Sequence, residues 1–455
     1  MTAPRPRRGG RAVRWTILAA VAGLLGWQVA TRTLPAVLAP YDPGAALILA
    51  EGNPRALLLL AERRLGQDPT ARNDADALPA AEREDVVEAA ATMVARGIAR
   101  PLLPPDVTAA DRATVAALAA AAWRAAPLDP RAPRLLGQLS EDEGTGRRLM
   151  EQSVALSRHD PLALYWLIQH AFLAGDVDGV LRHADILLRA QPDFAATVAP
   201  MLTALTADEA IRPRIVAALA AAPPWRDGFL AELPALAADP RLPFALLRDL
   251  ARGPTPPTSS QVMSYLTVLV AREDYRLAHE AWRVFPMDGE EHPADLVFDG
   301  GFRNRPGATP FSWAFSFGGG VRITTTAAPG RPGDKALALE FAGQMVEPMT
   351  VTQVTVLDPG RYRIAGSQAG TFESRRGLRW EMICRRPGAA PLGGSDELFG
   401  GGEGWSPFSF DIEIPRENCP VQILRLVFDT VAQADRIVRG DLYLTDISIR
   451  PLGGS

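Results

Sequence analysis

At 455 residues the chain is longer than one hydrophobic core usually organises, so two or three domains are expected. The apolar content of 47% suits a folded protein, and a formal net charge of −4 offers no basic surface for phosphates, so nucleic acid is excluded as the expected partner. Lys335 is the single lysine; with the heavy use of Ala, Gly and Pro, this marks a GC-rich bacterial genome.

Residues 1–14 carry Arg5, Arg7, Arg8, Arg11 and Arg14 without an acid, and Trp15 to Thr31 then runs uncharged until Arg32. The run lies near the lower limit of about 17 to 25 residues for a spanning helix, but Arg14 and Arg32 can snorkel while Trp15 and Trp27 suit the interfaces. The pattern predicts a cytoplasmic basic tail over 1–14, a transmembrane signal anchor over 15–34, and export of the rest, to the periplasm if the cell is Gram-negative. The alternative is a cleaved signal peptide. Against it, Ala20-Val21-Ala22 lies inside the apolar run and no good small-x-small site follows.

Over residues 40–286 Ala, Leu and Arg dominate, apolar residues recur at three and four, and prolines punctuate the pattern, which predicts an all-α helical array. The clearest unit spans Pro161 to Pro192, with Leu164, Leu167, Ala171, Gly175, Val180, Ala184 and Leu187 at the small and apolar positions and Ala174-Gly175-Asp176 as the turn. It resembles a tetratricopeptide repeat, and Ala122 to Gly137 resembles the junction between two of them. Pro130, Pro161 and Pro192 recur at a spacing of 31 residues, short of that family's period. A second hairpin, Val262 to Pro286, repeats the scheme with Tyr265, Leu269, Tyr275, Ala278 and Trp282. From Pro200 to Pro257 repeated prolines predict short or irregular helices. A stacked solenoid offers an extended surface for a protein partner, and a plain spacer is the alternative.

Residues 296–451 read as all-β. Short runs rich in β-branched and aromatic residues alternate with Gly/Pro-rich turns: Pro310 to Phe317, Val321 to Thr326, Ala336 to Phe341, Met349 to Leu357, Arg361 to Gly366, Leu378 to Cys384, Phe408 to Ile414, Val421 to Phe428 and Asp441 to Ile449. So many short strands predict a sandwich or jelly roll.

Phe298-Asp299-Gly300-Gly301-Phe302, then Trp313, then Gln353 ahead of Pro359-Gly360-Arg361-Tyr362, and the closing Gly440 to Ile447, together resemble a galactose-binding-like jelly roll of the kind carbohydrate-binding modules share. In that family an acid of the last strand often helps hold a structural calcium. The resemblance implies Asp299 and Asp446 as candidates here. Arg303 stands where the family commonly has Glu, so hard oxygen ligands are too few, and no metal or cofactor is expected. Anchor, repeat-like helices and sandwich together resemble bacterial envelope proteins of exopolysaccharide synthesis and export. That resemblance implies a membrane-anchored scaffold, its helices on an envelope protein and its jelly roll on polysaccharide; the alternative is a protein–protein adaptor that never touches sugar.

Sugar-binding modules grip a pyranose on an aromatic face beside hydrogen-bonding groups. Trp405, in a predicted loop after Gly400-Gly401-Gly402-Glu403-Gly404, is the first candidate. Trp313 is the second, with sealing one end of the sandwich as its other reading. Trp380 shares an apolar strand face with Leu378 and Met382 and is assigned to the core. Gln353, Arg379 and Glu381 could supply hydrogen bonds if their strands are neighbours; a solvated sheet face is the plainer reading. No catalytic residue is expected. The five histidines lie outside the sandwich without ligand spacing, and Asp396, Glu397, Asp411 and Glu413 read as solvated acids, not a glycosidase pair. Cys384 and Cys419, the only two cysteines, are expected to form one disulfide in an exported domain.

Overall fold

The structure, a computed structural model, describes residues 9–67, 107–285, 296–428, 430 and 433–452. The first eight residues of the predicted tail and the expected domain junction at 286–295 lie outside the described residues. The chain folds as two compact units, Met1–Ala238 and Asp239–Ser455.

In the first unit, α1 (Gly9–Gln28) runs through a π-helical turn (Val29–Thr33) into α2 (Leu34–Leu38). Within this run, Arg14–Leu38 is, among the described residues, the one helix long and apolar enough to cross a membrane, and its most apolar stretch is wholly exposed. Trp15 and Trp27 stand free on it.

There follow α3 (Pro43–Leu49), α4 (Pro54–Arg64), α5 (Ala109–Ala125), α6 (Arg131–Leu139), α7 (Glu143–Leu156), α8 (Pro161–Leu173), α9 (Val177–Ala190), α10 (Ala195–Ala207), α11 (Arg212–Ala220) and α12 (Arg226–Leu236). Several prolines start helices instead of breaking them: Pro43, Pro54 and Pro161 each occupy the first helical position behind a capping Asp42, Asn53 or Asp160. Pro200 and Pro234 lie inside α10 and α12. The α8–α9 hairpin has the predicted turn. Gly175 takes φ +71°, Asp176 caps the N–H of Gly179 at 2.9 Å, and a side chain at Gly179 would collide with that carboxylate. Leu164, Leu167, Ala171, Val180, Ala184 and Leu187 are all buried in it.

Beneath α4, α6 and α8 lies a buried ion network. The Arg134 guanidinium donates to Glu62 of α4, to Asp160 at the α8 cap (3.0 Å) and to Gln67 (3.0 Å). Burial pushes the Glu62 carboxyl above the usual carboxylate range, against the pull of Arg134 and Arg131. Three helices thus share one cation.

The second unit opens with α13 (Arg241–Ala251), α14 (Ser259–Ala271) and α15 (Tyr275–Val284). The sequence reading assigns these helices to the array, yet they fold with the sandwich. Trp282 of α15 packs on Phe298 and Phe311 at ring distances of 5.0 and 5.3 Å, and Arg385 lies over Tyr275 at 4.4 Å. The predicted Tyr265, Leu269, Tyr275, Ala278 and Trp282 are all buried.

The sandwich is two antiparallel sheets. Its strands are β1 (Ala314–Phe317), β2 (Val321–Ala327), β3 (Lys335–Met345), β4 (Met349–Thr355), β5 (Gly360–Gly370), β6 (Phe372–Glu373), β7 (Leu378–Cys384), β8 (Pro391–Gly394), β9 (Gly402–Ile414), β10 (Gln422–Phe428) and β11 (Ile437–Pro451). One sheet runs β1-β4-β10-β7-β8; the other runs β2-β3-β11-β5-β9, with β6 on β11. All nine predicted strands are present, β9 and β11 reaching further upstream than their sequence pattern, and β6 and β8 are additions. Alternation sends Leu378, Trp380, Met382, Leu424, Leu426, Val351, Leu442 and Leu444 into one core between the sheets.

Cys384 and Cys419 form the expected disulfide, closing 35 residues. In the chain-entropy model a loop of that length contributes about 3–4 kcal/mol. The double Cys384→Ala, Cys419→Ala variant should lose stability of that order, and mass spectrometry of the unreduced protein should find no free thiol. Arg134→Ala, which strips Asp160 of its cation and leaves Glu62 only Arg131 at 3.8 Å, should cost about 3–5 kcal/mol, read as a lower denaturation midpoint for the detergent-solubilised chain; a shift within error would show the network to be idle.

Candidate functional site

The strand register decides which predicted residues can meet a ligand. Gln353, Leu424 and Met382 are register partners across β4, β10 and β7, and so are Thr352, Arg425 and Glu381 one step along, on the opposite face. Gln353 therefore points inward, away from Arg379 and Glu381, and β10 separates its strand from theirs. It is 1% exposed. Its carboxamide accepts from the Phe298 N–H at 3.1 Å and donates to the Phe298 carbonyl at 2.7 Å. The expectation that Gln353 serves a ligand is corrected: a buried amide must be satisfied internally, and this one is.

Trp313 is likewise structural. It is buried in the core against Phe302 and Trp380, and its indole N–H donates to the Asp299 carbonyl at 2.9 Å, so the expectation that it stacks on a ligand is corrected.

Trp405 sits in strand β9, not in a loop, because β9 begins at Gly402. Its ring is engaged rather than open: Arg331 lies over it at 4.5 Å, and its N–H donates to the Pro329 carbonyl at 2.8 Å. Arg331 in turn donates to Asp446 at 2.5 Å, and the Ser367 hydroxyl donates to the same carboxylate at 3.2 Å. Trp405 thus pins the β2–β3 hairpin loop, Ala328–Asp334, onto the six-stranded sheet.

The two calcium candidates are both committed elsewhere. Asp446 holds Arg331, and Asp299 accepts the N–H groups of Arg303 and Asn304 at 2.7 and 2.8 Å. Nearby, Lys335 donates to the Arg303 carbonyl at 3.3 Å and its own carbonyl accepts the Thr445 hydroxyl at 2.8 Å. Among the described residues no group of three His, Cys, Asp or Glu could hold a metal ion.

Arg379 and Glu381, two apart on β7, share the outer face of the five-stranded sheet, and Arg425 joins them. Glu381 is 4% exposed, although it points outward, because two arginines cover it. Its Oε1 takes Arg379 Nη2 at 2.6 Å, while its Oε2 takes Nε and Nη2 of Arg425 at 3.2 and 2.9 Å. Alternation places Thr352, Arg425, Glu381 and Gly394 in one row across the sheet, and Val354, Ile423 and Ile383 in the next. The outer face so carries a polar row beside a half-buried apolar one. Sequence reasoning missed Arg425, though the alternation of Ile423, Arg425 and Val427 in the β10 run carried the signal.

A groove of about 300 Å³ lies at one end of the sandwich, lined by Val346, Glu347, Pro348, Met349, Val427, Phe428, Thr430 and Arg436. Met345 and Ile437 are register partners beside it, 55% and 57% exposed.

No protein-family model matches the chain, and no curated protein matches it. Among solved structures, a structure titled as CBM4 structure and function is 13% identical over 34% of this chain and 99% of its own, with a TM-score of 0.26. TmCBM61 in complex with beta-1,4-galactotriose is 14% identical over 35% of this chain and 99% of its own, with a TM-score of 0.25. The CBM22-1 xylan-binding domain from Paenibacillus barcinonensis Xyn10C is 14% identical over 31% and 87%, with a TM-score of 0.23. Likenesses of that strength decide nothing about what this chain binds.

Replacing Trp405 by Ala should free the Ala328–Asp334 loop at a cost of about 1–2 kcal/mol, less than the 3–5 expected for a core tryptophan such as Trp380. Amide exchange should accelerate at Arg331 and Asp334, whose N–H groups bond within the loop. Unchanged exchange there would mean the ring does not hold the loop.

Proposed function

We propose that the protein is a single-pass inner-membrane protein whose exported part is a non-catalytic scaffold in envelope polysaccharide assembly or export. Its helical array docks a protein partner and its sandwich engages glycan. The observation that carries the glycan reading is the outer face of the five-stranded sheet, where the apolar row of Val354, Ile423 and Ile383 runs beside the polar row of Thr352, Arg425 and Glu381. A sugar ring presents the same mixture, C–H groups on its faces and hydroxyls around its rim.

Supporting the anchor is the exposed apolar helix Arg14–Leu38, with Trp15 at its start and five arginines before or at that start. The disulfide supports an oxidising compartment beyond it. For a repeat-like array the support is the α8–α9 hairpin, with its capped glycine turn and its buried stripe. Two of the acids a hydrolase would need are already paired. Arg363 hydrogen-bonds Asp411 and holds its carboxyl below the usual carboxylate range, whereas a general acid needs the opposite shift, and Arg376 pairs with Glu397 at 3.3 Å.

A second reading, an adaptor that contacts only protein, is favoured by the exposed apolar pair Met345 and Ile437 beside the groove at the sandwich end. Two measurements separate the readings. A phosphatase reporter fused at the C-terminus should be active; a working cytoplasmic reporter in its place would overturn the topology. In affinity electrophoresis through the host's own exopolysaccharide, the detergent-extracted full chain should be retarded and its Ile423→Asp variant much less so. No retardation of the wild-type chain moves the assignment to the adaptor.

A further inference from the structure

The arginines on the two outer faces of the sandwich are used differently. On the six-stranded sheet Arg363 lays one edge of its fork on both oxygens of Asp411, at 2.7 and 2.9 Å, so each group answers the other. On the five-stranded sheet Arg425 gives its Nε and Nη2 to a single oxygen, Oε2 of Glu381. The other edge of its fork, Nη1 with the second N–H of Nη2, has no partner among the described residues, and the side chain is 34% exposed.

Glu381 sets the direction of that edge. A carboxylate only 5% exposed at its side chain cannot turn to water, so it holds the Arg425 fork at its Nε side and leaves the Nη side outermost. Neighbours leave room. Along the row, Thr352 and then Ala314 lie on one flank of Arg425, and Gly394 lies beyond Glu381 on the other. An extended chain could cross the strands along this row with the guanidinium edge standing in its path.

A planar pair of N–H donors at fixed spacing matches the two oxygens of a carboxylate, whereas scattered hydroxyls use such a fork poorly. We propose that Arg425, braced by Glu381, receives the carboxylate of an acidic sugar, so that the glycan taken by this face is a uronate-bearing polysaccharide. The proposal rests on the glycan reading above and narrows it to a substrate class. The charge balance of the sandwich, 17 basic and 17 acidic residues from Leu296 on, gives no warning of it, because the discrimination is geometric and local.

The test compares polygalacturonate with its fully methyl-esterified form, which keeps the backbone and masks every carboxylate, and adds dextran sulfate as a generic polyanion. Binding is measured on the detergent-solubilised full chain at physiological salt. Wild type should prefer the free acid to the ester by about tenfold or more, as a bidentate charge-assisted contact implies. In Arg425→Gln the ratio should fall to about one. The double variant Glu381→Gln, Arg425→Gln, which leaves no stranded carboxylate, should behave the same and guards against misfolding of the single variant.

Equal wild-type binding to acid and ester overturns the inference and leaves the glycan reading standing. A preference that survives Arg425→Gln, or that dextran sulfate shares in full, also overturns it, by showing general attraction for polyanions. If neither galacturonan binds while the host exopolysaccharide still retards the protein, the inference alone fails. Failure with all of these polymers takes the glycan reading down as well.

Discussion

Two buried carboxamides complete the five-stranded sheet where its backbone ladder stops. β1 pairs with β4 only as far as Ala314 and Thr352, and beyond that point Gln353 supplies both an acceptor and a donor to the backbone of Phe298. At the far end of β10 Gln422 does similar service, accepting from the Leu357 N–H at 2.9 Å and donating to the Cys419 carbonyl at 2.7 Å. A backbone group left unpaired in this core would cost about 1–3 kcal/mol, so these side chains hold two loops that no strand could reach. Their inward parity has a further effect. It fixes which residues of β4, β7 and β10 face out, and hence that Arg425 and Glu381 share a surface.

The first unit solves a parallel problem with charge. Helices α4, α6 and α8 converge on Arg134, whose planar fork can serve several acceptors at once in a way a lysine could not. Replacing such a network by apolar side chains is often neutral or better for stability, so its value lies in holding the helices to one arrangement as long as every member is present.

Much of this architecture was legible from residue pattern alone. Period-two runs such as Leu378 to Cys384 and Val421 to Phe428 announced their strands, and the stripe from Leu164 to Leu187 announced its hairpin, because burial on one face is written directly into sequence. The candidate site was only half legible. Glycines around Trp405 suggested a loop, but Gly402 begins a strand, and only the fold could bring Pro329 and Arg331 to the ring. Gln353 looked like a polar residue on a strand, with nothing local to say that the face it occupies is the inner one. β6 has only two residues and β8 is the Pro/Gly-rich Pro391–Gly394, so neither carries a strand pattern. Arg425 was visible as an outward residue; its significance depends on Glu381, 44 positions away.

Lys335 gives the molecule an unplanned convenience. As the one lysine, at the start of β3 and just after the loop that Trp405 pins, it offers the only side-chain amine in the chain. Its ammonium rests on the Arg303 carbonyl at an exposed position, where a reagent can still compete for it. With the terminal α-amine blocked, a single dye or cross-linker attached by amine chemistry would therefore report from one known point on the sandwich, without a cysteine being introduced or the disulfide disturbed.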